Sequence, residues 1–329
     1  MNSLKISRLK YLNQKFRLII ILIAGTIIVI YINIVGNSKY INVNSVLNFE
    51  LKKPNLNEIP TVKNQDIHPN VSARYWALYD VGSSTLINGN NYDVKVPIAS
   101  ITKIITSIVV LDNSKIDEVV TVPTLATQVN GSRIELRSNE RITVGSLLQG
   151  LLINSGNDAA YTLGYFIADK LKPSTIPEEK IGIFVELMNK KASELGLTST
   201  IYFDPAGLDD NGKSTARDQG ILISYALRNT IFTSIINKSG SVIKSIDGTI
   251  EHKLENSNRL VKEEMYYSGI IGGKTGFTPT SGHNLVTAAS RNDHTLVAII
   301  ISTYSNLNTA SAAEAKKLLD WGFNNLNWS

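Results

Sequence analysis

A chain of 329 residues, 43% apolar and 19% charged, can bury a substantial core and is too apolar to be disordered. It has no cysteine, which excludes disulfides, thiolate catalysis and cysteine-ligated metals. The net charge of +5 is local: Lys5, Arg8, Lys10, Lys15 and Arg17 precede residue 18, and the rest balances at 28 basic against 28 acidic residues. A neutral body has no broad electrostatic footprint for a polyanion, so no nucleic-acid partner is expected.

Residues 18–35 form an apolar run broken only by Gly25, Thr26 and Asn33, close to the shortest length that spans a bilayer. With the five cations before it, this run is expected to be an uncleaved transmembrane anchor. Residues 1–17 would then be a cytoplasmic basic tail, and the body would lie outside the cell membrane. The alternative is a cleaved signal peptide and a secreted body. That reading expects an apolar core of about 7–15 residues and a small-x-small cleavage site, which Val35-Gly36-Asn37-Ser38-Lys39 matches poorly. Residues 36–70 are rich in Asn and Lys, carry Pro54, Pro60 and Pro69, and read as an extracytoplasmic tether with little structure of its own.

From residue 71 the texture is that of a folded domain continuing to residue 329. Residues 74–80 and 84–88 are expected to pair as strands around Gly82, and 98–111 is a strongly apolar helix. A helical middle follows at 144–153, 158–168 and 181–195. Strands return at 270–278, 283–290 and 295–303, and an amphipathic helix closes the chain at 311–323. Strands at both ends around a helical insert predict an α+β fold, with an antiparallel sheet flanked by the terminal helices. His68, His252, His283 and His294 are scattered, with no HExxH and no close pair, so neither a metal nor another cofactor is expected.

Three short motifs carry the chemistry. Ser100-Ile101-Thr102-Lys103 places a hydroxyl and an amine three residues apart on one helical face. A serine is a weak nucleophile until a neighbour takes its proton, and a lysine can do so once burial or a nearby cation depresses its pKa. Ser155-Gly156-Asn157 falls between two apolar helices, where turn formers can push both side chains into a cleft. Lys274-Thr275-Gly276 lies on a glycine-rich strand, followed by Phe277. Glycine inside a strand marks close approach by a ligand or another backbone, so Lys274 and Thr275 can meet a substrate carboxylate along the strand edge. Each motif alone is a common polar pair, a plain turn or a solvated lysine. In the order SxxK, SxN, KTG they are the signature of penicillin-binding proteins and serine β-lactamases.

The surrounding residues resemble one branch, the low-molecular-weight D-alanyl-D-alanine carboxypeptidases of the S11 peptidase family, over about residues 72–325. Val96–Lys103 is similar to that family's PASxTK stretch, and 155–160 reads SGNDAA. Residues 184–197 look like the helix between the second and third motifs, 204–218 like its P-x-GL … STARD stretch, and 274–286 like its KTG strand. The resemblance implies the penicillin-binding/serine β-lactamase-like transpeptidase fold. It implies Ser100 as the acylated nucleophile and Lys103 as its base. Ser155 would relay a proton to the leaving D-alanine, and Asn157 would bind substrate backbone and hold Lys103. Lys274 and Thr275 would grip the terminal carboxylate, with Lys274 also keeping Lys103 neutral, and the backbone N–H groups of Ser100 and Phe277 would form the oxyanion hole. The implied partners are peptidoglycan stem peptides ending in D-Ala-D-Ala and, as covalent inhibitors, β-lactams.

Two departures stand out. The chain ends just after Leu318–Phe323, where many relatives continue into a β-rich second domain. Thr309-Ala310-Ser311 stands where some relatives carry an arginine that assists carboxylate binding. The expected activity is removal of the terminal D-alanine from pentapeptide stems. A D,D-endopeptidase that cuts cross-links is the alternative within the same chemistry. A class A β-lactamase would need an added deacylating glutamate, and Glu186 falls instead in the carboxypeptidase-like helix. A catalytically silent wall-binding or β-lactam-sensing module is the alternative of another class. Ser100 and Lys103 are both present, and residues 1–17 are too short for a signalling domain, so neither form of it is favoured.

Overall fold

The computed structural model describes residues 59–304 and 307–328. The expected anchor at 18–35 and its basic tail lie outside them. Among the described residues no helix is long and apolar enough to cross a membrane.

In chain order the strands are β1 (Thr61–Val62), β2 (Tyr75–Asp80), β3 (Thr85–Asn90), β4 (Val96–Pro97), β5 (Val119–Thr121) and β6 (Arg141–Thr143). They continue with β7 (Lys213–Ser214), β8 (Gly240–Lys244), β9 (Glu251–Glu255), β10 (Ile270–Thr278), β11 (Gly282–Arg291), β12 (His294–Thr303) and β13 (Leu326–Asn327). The α-helices are α1 (Lys103–Asn113), α2 (Val144–Leu152), α3 (Asn157–Leu171), α4 (Pro177–Glu194), α5 (Ala216–Ala226), α6 (Thr230–Ile236) and α7 (Ala310–Asn325).

Five strands form one antiparallel sheet in the order β10-β11-β12-β2-β3. Its central strands are near-continuous apolar runs because both faces are buried. Side-chain alternation sends Trp76, Leu78, Leu296, Ala298 and Ile300 to a core under α7, where Leu318 and Leu319 meet them. It sends Ala77, Tyr79, Val297, Ile299 and Ile301 to the opposite core, shared with the helical body. Each face is worth on the order of 25 cal/mol per Å² of apolar surface removed from water.

The helical body is built around α1, whose first eight residues, Lys103 to Val110, are all buried. A helix buried on every side belongs at the centre of a domain. The Thr143 side chain caps α2 by accepting from Ser146 N–H, and Thr215 caps α5 by accepting from Asp218 N–H. Pro177 opens α4 with Glu178 and Glu179 in its first turn, where a preset φ and negative charge both favour a helix start.

The expected elements appear in order, with shifted ends. The apolar helix expected at 98–111 begins as a 3₁₀ turn, Ala99–Thr102, before α1. The helices α5 and α6 and the hairpin β8–β9 stand where no element was expected by name. The end of the expected tether is part of the body. Thr61 and Val62 pair with Asn327 and Leu326, Lys63 N–H donates to Asn325 carbonyl, and Trp321 Nε1–H donates to the carbonyl of Ile67. A two-residue strand is too short to show a period, and its partner lies more than 260 residues away.

Candidate active site

Ser100 sits in the 3₁₀ turn that leads into α1, preceded by Ala99 at φ +49°. Ser155, just before α3, has φ +62°. Left-handed backbone costs a side-chain-bearing residue roughly 1–2 kcal/mol. Both strained residues are therefore held in place by their surroundings.

The three motifs converge on Lys103, which is fully buried. Its Nζ lies 2.8 Å from Ser100 Oγ, 2.7 Å from Asn157 Oδ1 and 2.8 Å from the Ala206 carbonyl. The Asn157 amide is oriented by its other end, because Nδ2 donates to the Asn130 carbonyl at 2.6 Å. Asn157 Oδ1 and Ala206 O can only accept. A neutral amine has two N–H bonds and one lone pair, so these two acceptors consume the donors and leave the lone pair facing the Ser100 hydroxyl. Burial lowers the Lys103 pKa to about 7, against the opposing pull of the Asp204 and Asp158 carboxylates. A base poised there is half-ready at neutral pH.

Lys274, also buried, reaches Ser155 Oγ at 3.0 Å and the Thr275 carbonyl at 2.8 Å. Burial and the nearby Lys103 charge both hold it well below the usual lysine range. Two buried ammonium groups so placed do not both keep their protons, and the repulsion is mutual. At Lys103 the cause of the lowering is burial. Thr275 Oγ1 is hydrogen-bonded to Ser257 Oγ.

Strand β10 is the sheet edge. At Gly276 it passes over the start of the nucleophile turn so closely that an added Cβ would lie 2.9 Å from Ile98 O and 3.1 Å from Ser100 N. The glycine thus allows β10 to lie against the nucleophile turn, with Phe277 next along the strand. Phe277 is exposed and its ring packs 4.5 Å from that of His283 across the strand pair.

Several supporting groups are not visible in the motifs. Asp204 accepts from the backbone N–H groups of Ala206, Gly207, Leu208 and Asp209, at 2.7–2.9 Å, and so shapes the loop that offers the Ala206 carbonyl. Gly207, at φ +77°, lets that loop press on the Ala99 backbone, where a Cβ would collide with the Ala99 carbonyl. Asp158 accepts from Ile134 and Leu136 N–H at 3.1 Å, fixing the segment that carries Asn130. Asn284 donates to the Ile98 carbonyl from β11. Sequence signals existed for Asp204 and Asp158, which fall within the quoted family stretches, but not for the backbone groups they position.

Known proteins are similar to this chain in sequence and fold. The sequence profile of the D-alanyl-D-alanine carboxypeptidase family, Peptidase S11, matches residues 61–305. D-alanyl-D-alanine carboxypeptidase DacB2 of Mycobacterium tuberculosis is 31% identical over 259 residues, covering 78% of this chain and 84% of the relative. DacC of Escherichia coli is 32% identical over 78% of this chain, but only 62% of that longer protein is spanned. D-alanyl-D-alanine endopeptidases of Haemophilus influenzae and Escherichia coli are also relatives. The crystal structure of the Streptomyces K15 DD-transpeptidase superimposes with a TM-score of 0.71 at 29% identity, covering 78% of this chain and 99% of that one. The α+β fold is therefore the transpeptidase fold expected from the motifs, and the chain belongs to the D-alanyl-D-alanine carboxypeptidase family of serine peptidases.

Proposed function

We propose that the chain removes the terminal D-alanine from peptidoglycan pentapeptide stems through an acyl-enzyme on Ser100. The observation that carries this reading is the Lys103 amine, buried, titrating near 7, and 2.8 Å from Ser100 Oγ.

Lys103 takes the Ser100 proton as Oγ attacks the carbonyl of the penultimate D-alanine, and the N–H groups of Ser100 and Phe277 stabilise the oxyanion. The C–N bond then breaks. The proton held by Lys103 passes through Ser155 to the departing amine, and free D-alanine leaves. Water, deprotonated by Lys103, hydrolyses the ester and restores the Ser100 hydroxyl. Lys274 and Thr275 grip the terminal carboxylate along the open edge of β10. A β-lactam presents a strained amide and a carboxylate in the same places, so it should acylate Ser100 without ready release.

Incubation with a penicillin is expected to add one adduct, mapped by mass spectrometry to Ser100, and Ser100→Ala should abolish it while keeping its melting temperature. An adduct elsewhere, or none with any penicillin, overturns the reading. Incubation with a pentapeptide muropeptide and a cross-linked dimer separates the activities. Release of D-alanine from the pentapeptide supports the carboxypeptidase, whereas conversion of dimer alone assigns a D,D-endopeptidase.

For location, the apolar run at 18–35 and its preceding cations support a single-pass membrane anchor with the catalytic domain extracytoplasmic. The native protein should then pellet with membranes and keep its N-terminus by intact mass. A mass lacking about the first 35 residues would mean signal-peptide cleavage instead.

A further inference from the structure

His252 lies on β9 in the hairpin β8–β9, outside all three motifs, and is buried. Its Nδ1 is 2.8 Å from the Ile134 carbonyl and its Nε2 is 2.7 Å from Glu140 Oε1. A carbonyl only accepts, so Nδ1 carries a proton. The Nε2–Oε1 contact then contains one more proton, held by whichever atom is the stronger base. Glu140 Oε2 is occupied by the Arg137 N–H at 3.0 Å. If the shared proton leaves, a ring lone pair faces a buried carboxylate at hydrogen-bond distance, which is repulsive.

The group anchored by His252 is the cradle of the second motif. Ile134 N–H donates to Asp158, and Asp158 immediately follows Asn157. The same segment accepts from Asn157 N–H at the Ser132 carbonyl and from Asn157 Nδ2 at the Asn130 carbonyl, and it bonds Asn154 through Ser132 Oγ and the Arg133 carbonyl. The Ile134 side chain packs beside Gly150 and Gly156: a Cβ at Gly150 would strike it at 2.5 Å, and one at Gly156 would crowd it at 3.1 Å. Asn157 in turn bonds Lys103.

We propose that His252 is a positioning residue for the Ser100 reaction, bracing the segment of residues 130–136 behind Asn157 through the proton it shares with Glu140. The brace is released as that proton is lost. The proposal rests on the acyl-enzyme reading above. The Glu140 hydrogen bond raises the His252 pKa, against the opposing effect of burial, and the Asp158 charge adds to the rise. A histidine raised in this way contributes stability that is complete below the ordinary histidine range and is lost as pH rises through the elevated value. Other charged groups on the elements around it are exposed: Glu251 and Lys253 on β9, Lys244 on β8 paired with Glu251, Arg141 on β6, and Arg133, Glu135 and Arg137 in the loop before β6.

Two substitutions separate this role from mere packing. In Glu140→Gln the new amide can donate to Nε2 of a neutral imidazole while its oxygen keeps the Arg137 N–H, so the brace no longer needs a titrating proton. In His252→Asn the bond to Ile134 can persist but the shared proton is gone. The measurement is the second-order rate of Ser100 acylation by a fluorescent penicillin across pH, on the full chain, with melting temperature beside it.

Glu140→Gln is expected to stay within about twofold of the unsubstituted protein at neutral pH, whereas with rising alkaline pH the unsubstituted protein should fall at least severalfold below it. His252→Asn should be slower by about tenfold or more at neutral pH, with the penicillin still bound to Ser100. Superimposable pH profiles for Glu140→Gln and the unsubstituted protein overturn the proposal, as does a folded His252→Asn that acylates at the unsubstituted rate. If His252→Asn does not fold, the Glu140→Gln profile decides alone. Failure of the unsubstituted protein to acylate at all would instead remove the acyl-enzyme reading.

Discussion

Lys103→Arg is expected to slow acylation of Ser100 by a penicillin by roughly 10²–10⁴-fold, the usual contribution of a positioned general base. A guanidinium stays protonated at any working pH and has no lone pair to offer the serine. The loss should therefore not be recovered by raising pH, whereas the unsubstituted protein is expected to gain rate as pH rises through the Lys103 pKa, which burial lowers to about 7. The site is closed around a linear side chain with three partners at 2.7–2.8 Å, so a larger head group also perturbs it. Lys103→Met supplies the control: it nearly matches the volume, lacks any base, and should be equally inactive while folded. Stopped-flow acylation with a fluorescent penicillin makes the comparison. Near-normal acylation by folded Lys103→Arg would show that another group deprotonates Ser100.

Lys274→Ala carries the second large effect, and it has two parts. Loss of a charged hydrogen bond to the substrate carboxylate, worth about 1.5–3 kcal/mol, should lower acylation by carboxylate-bearing β-lactams about ten- to a hundredfold. Removal of a neighbouring cation also makes Lys103 easier to protonate. Its pKa then rises, and the acid limb of the acylation–pH profile moves to higher pH. Lys274→Arg keeps the charge and should retain measurable activity with an unmoved limb. The two lysines repel each other, but burial is the first cause of depression at both, so the shift of the limb should be partial. An unmoved limb in Lys274→Ala would leave Lys103 as the base and assign its low pKa to burial alone.

The candidate residues Ser100, Lys103, Ser155, Asn157, Lys274 and Thr275, which the structure brings together, were legible in the amino-acid sequence because serine acyl-transfer chemistry demands particular side chains at short, fixed spacings. A hydroxyl and an amine three apart on a helix meet through helix geometry alone. The central strands were legible for a similar reason: burial on both faces leaves a run such as Leu296 to Ile301 with no polar interruption. Backbone partners leave no such trace. The carbonyls of Ala206 and Asn130 that fix Lys103 and Asn157 could belong to any residue, and they come from 103 and 27 positions away. Neither Ala99 nor Ser155 is a residue type that announces a left-handed backbone. His252 read as one of four scattered histidines, since its partners Ile134 and Glu140 are more than 110 residues distant and are joined to it only by the packing of the β8–β9 hairpin. The sequence by itself determined which side chains are candidates for the reaction, since side-chain identity and local periodicity are written residue by residue. Only the tertiary structure decided their protonation and their aim, because burial, mutual repulsion and backbone hydrogen bonds depend on segments that meet in space without any pattern in sequence.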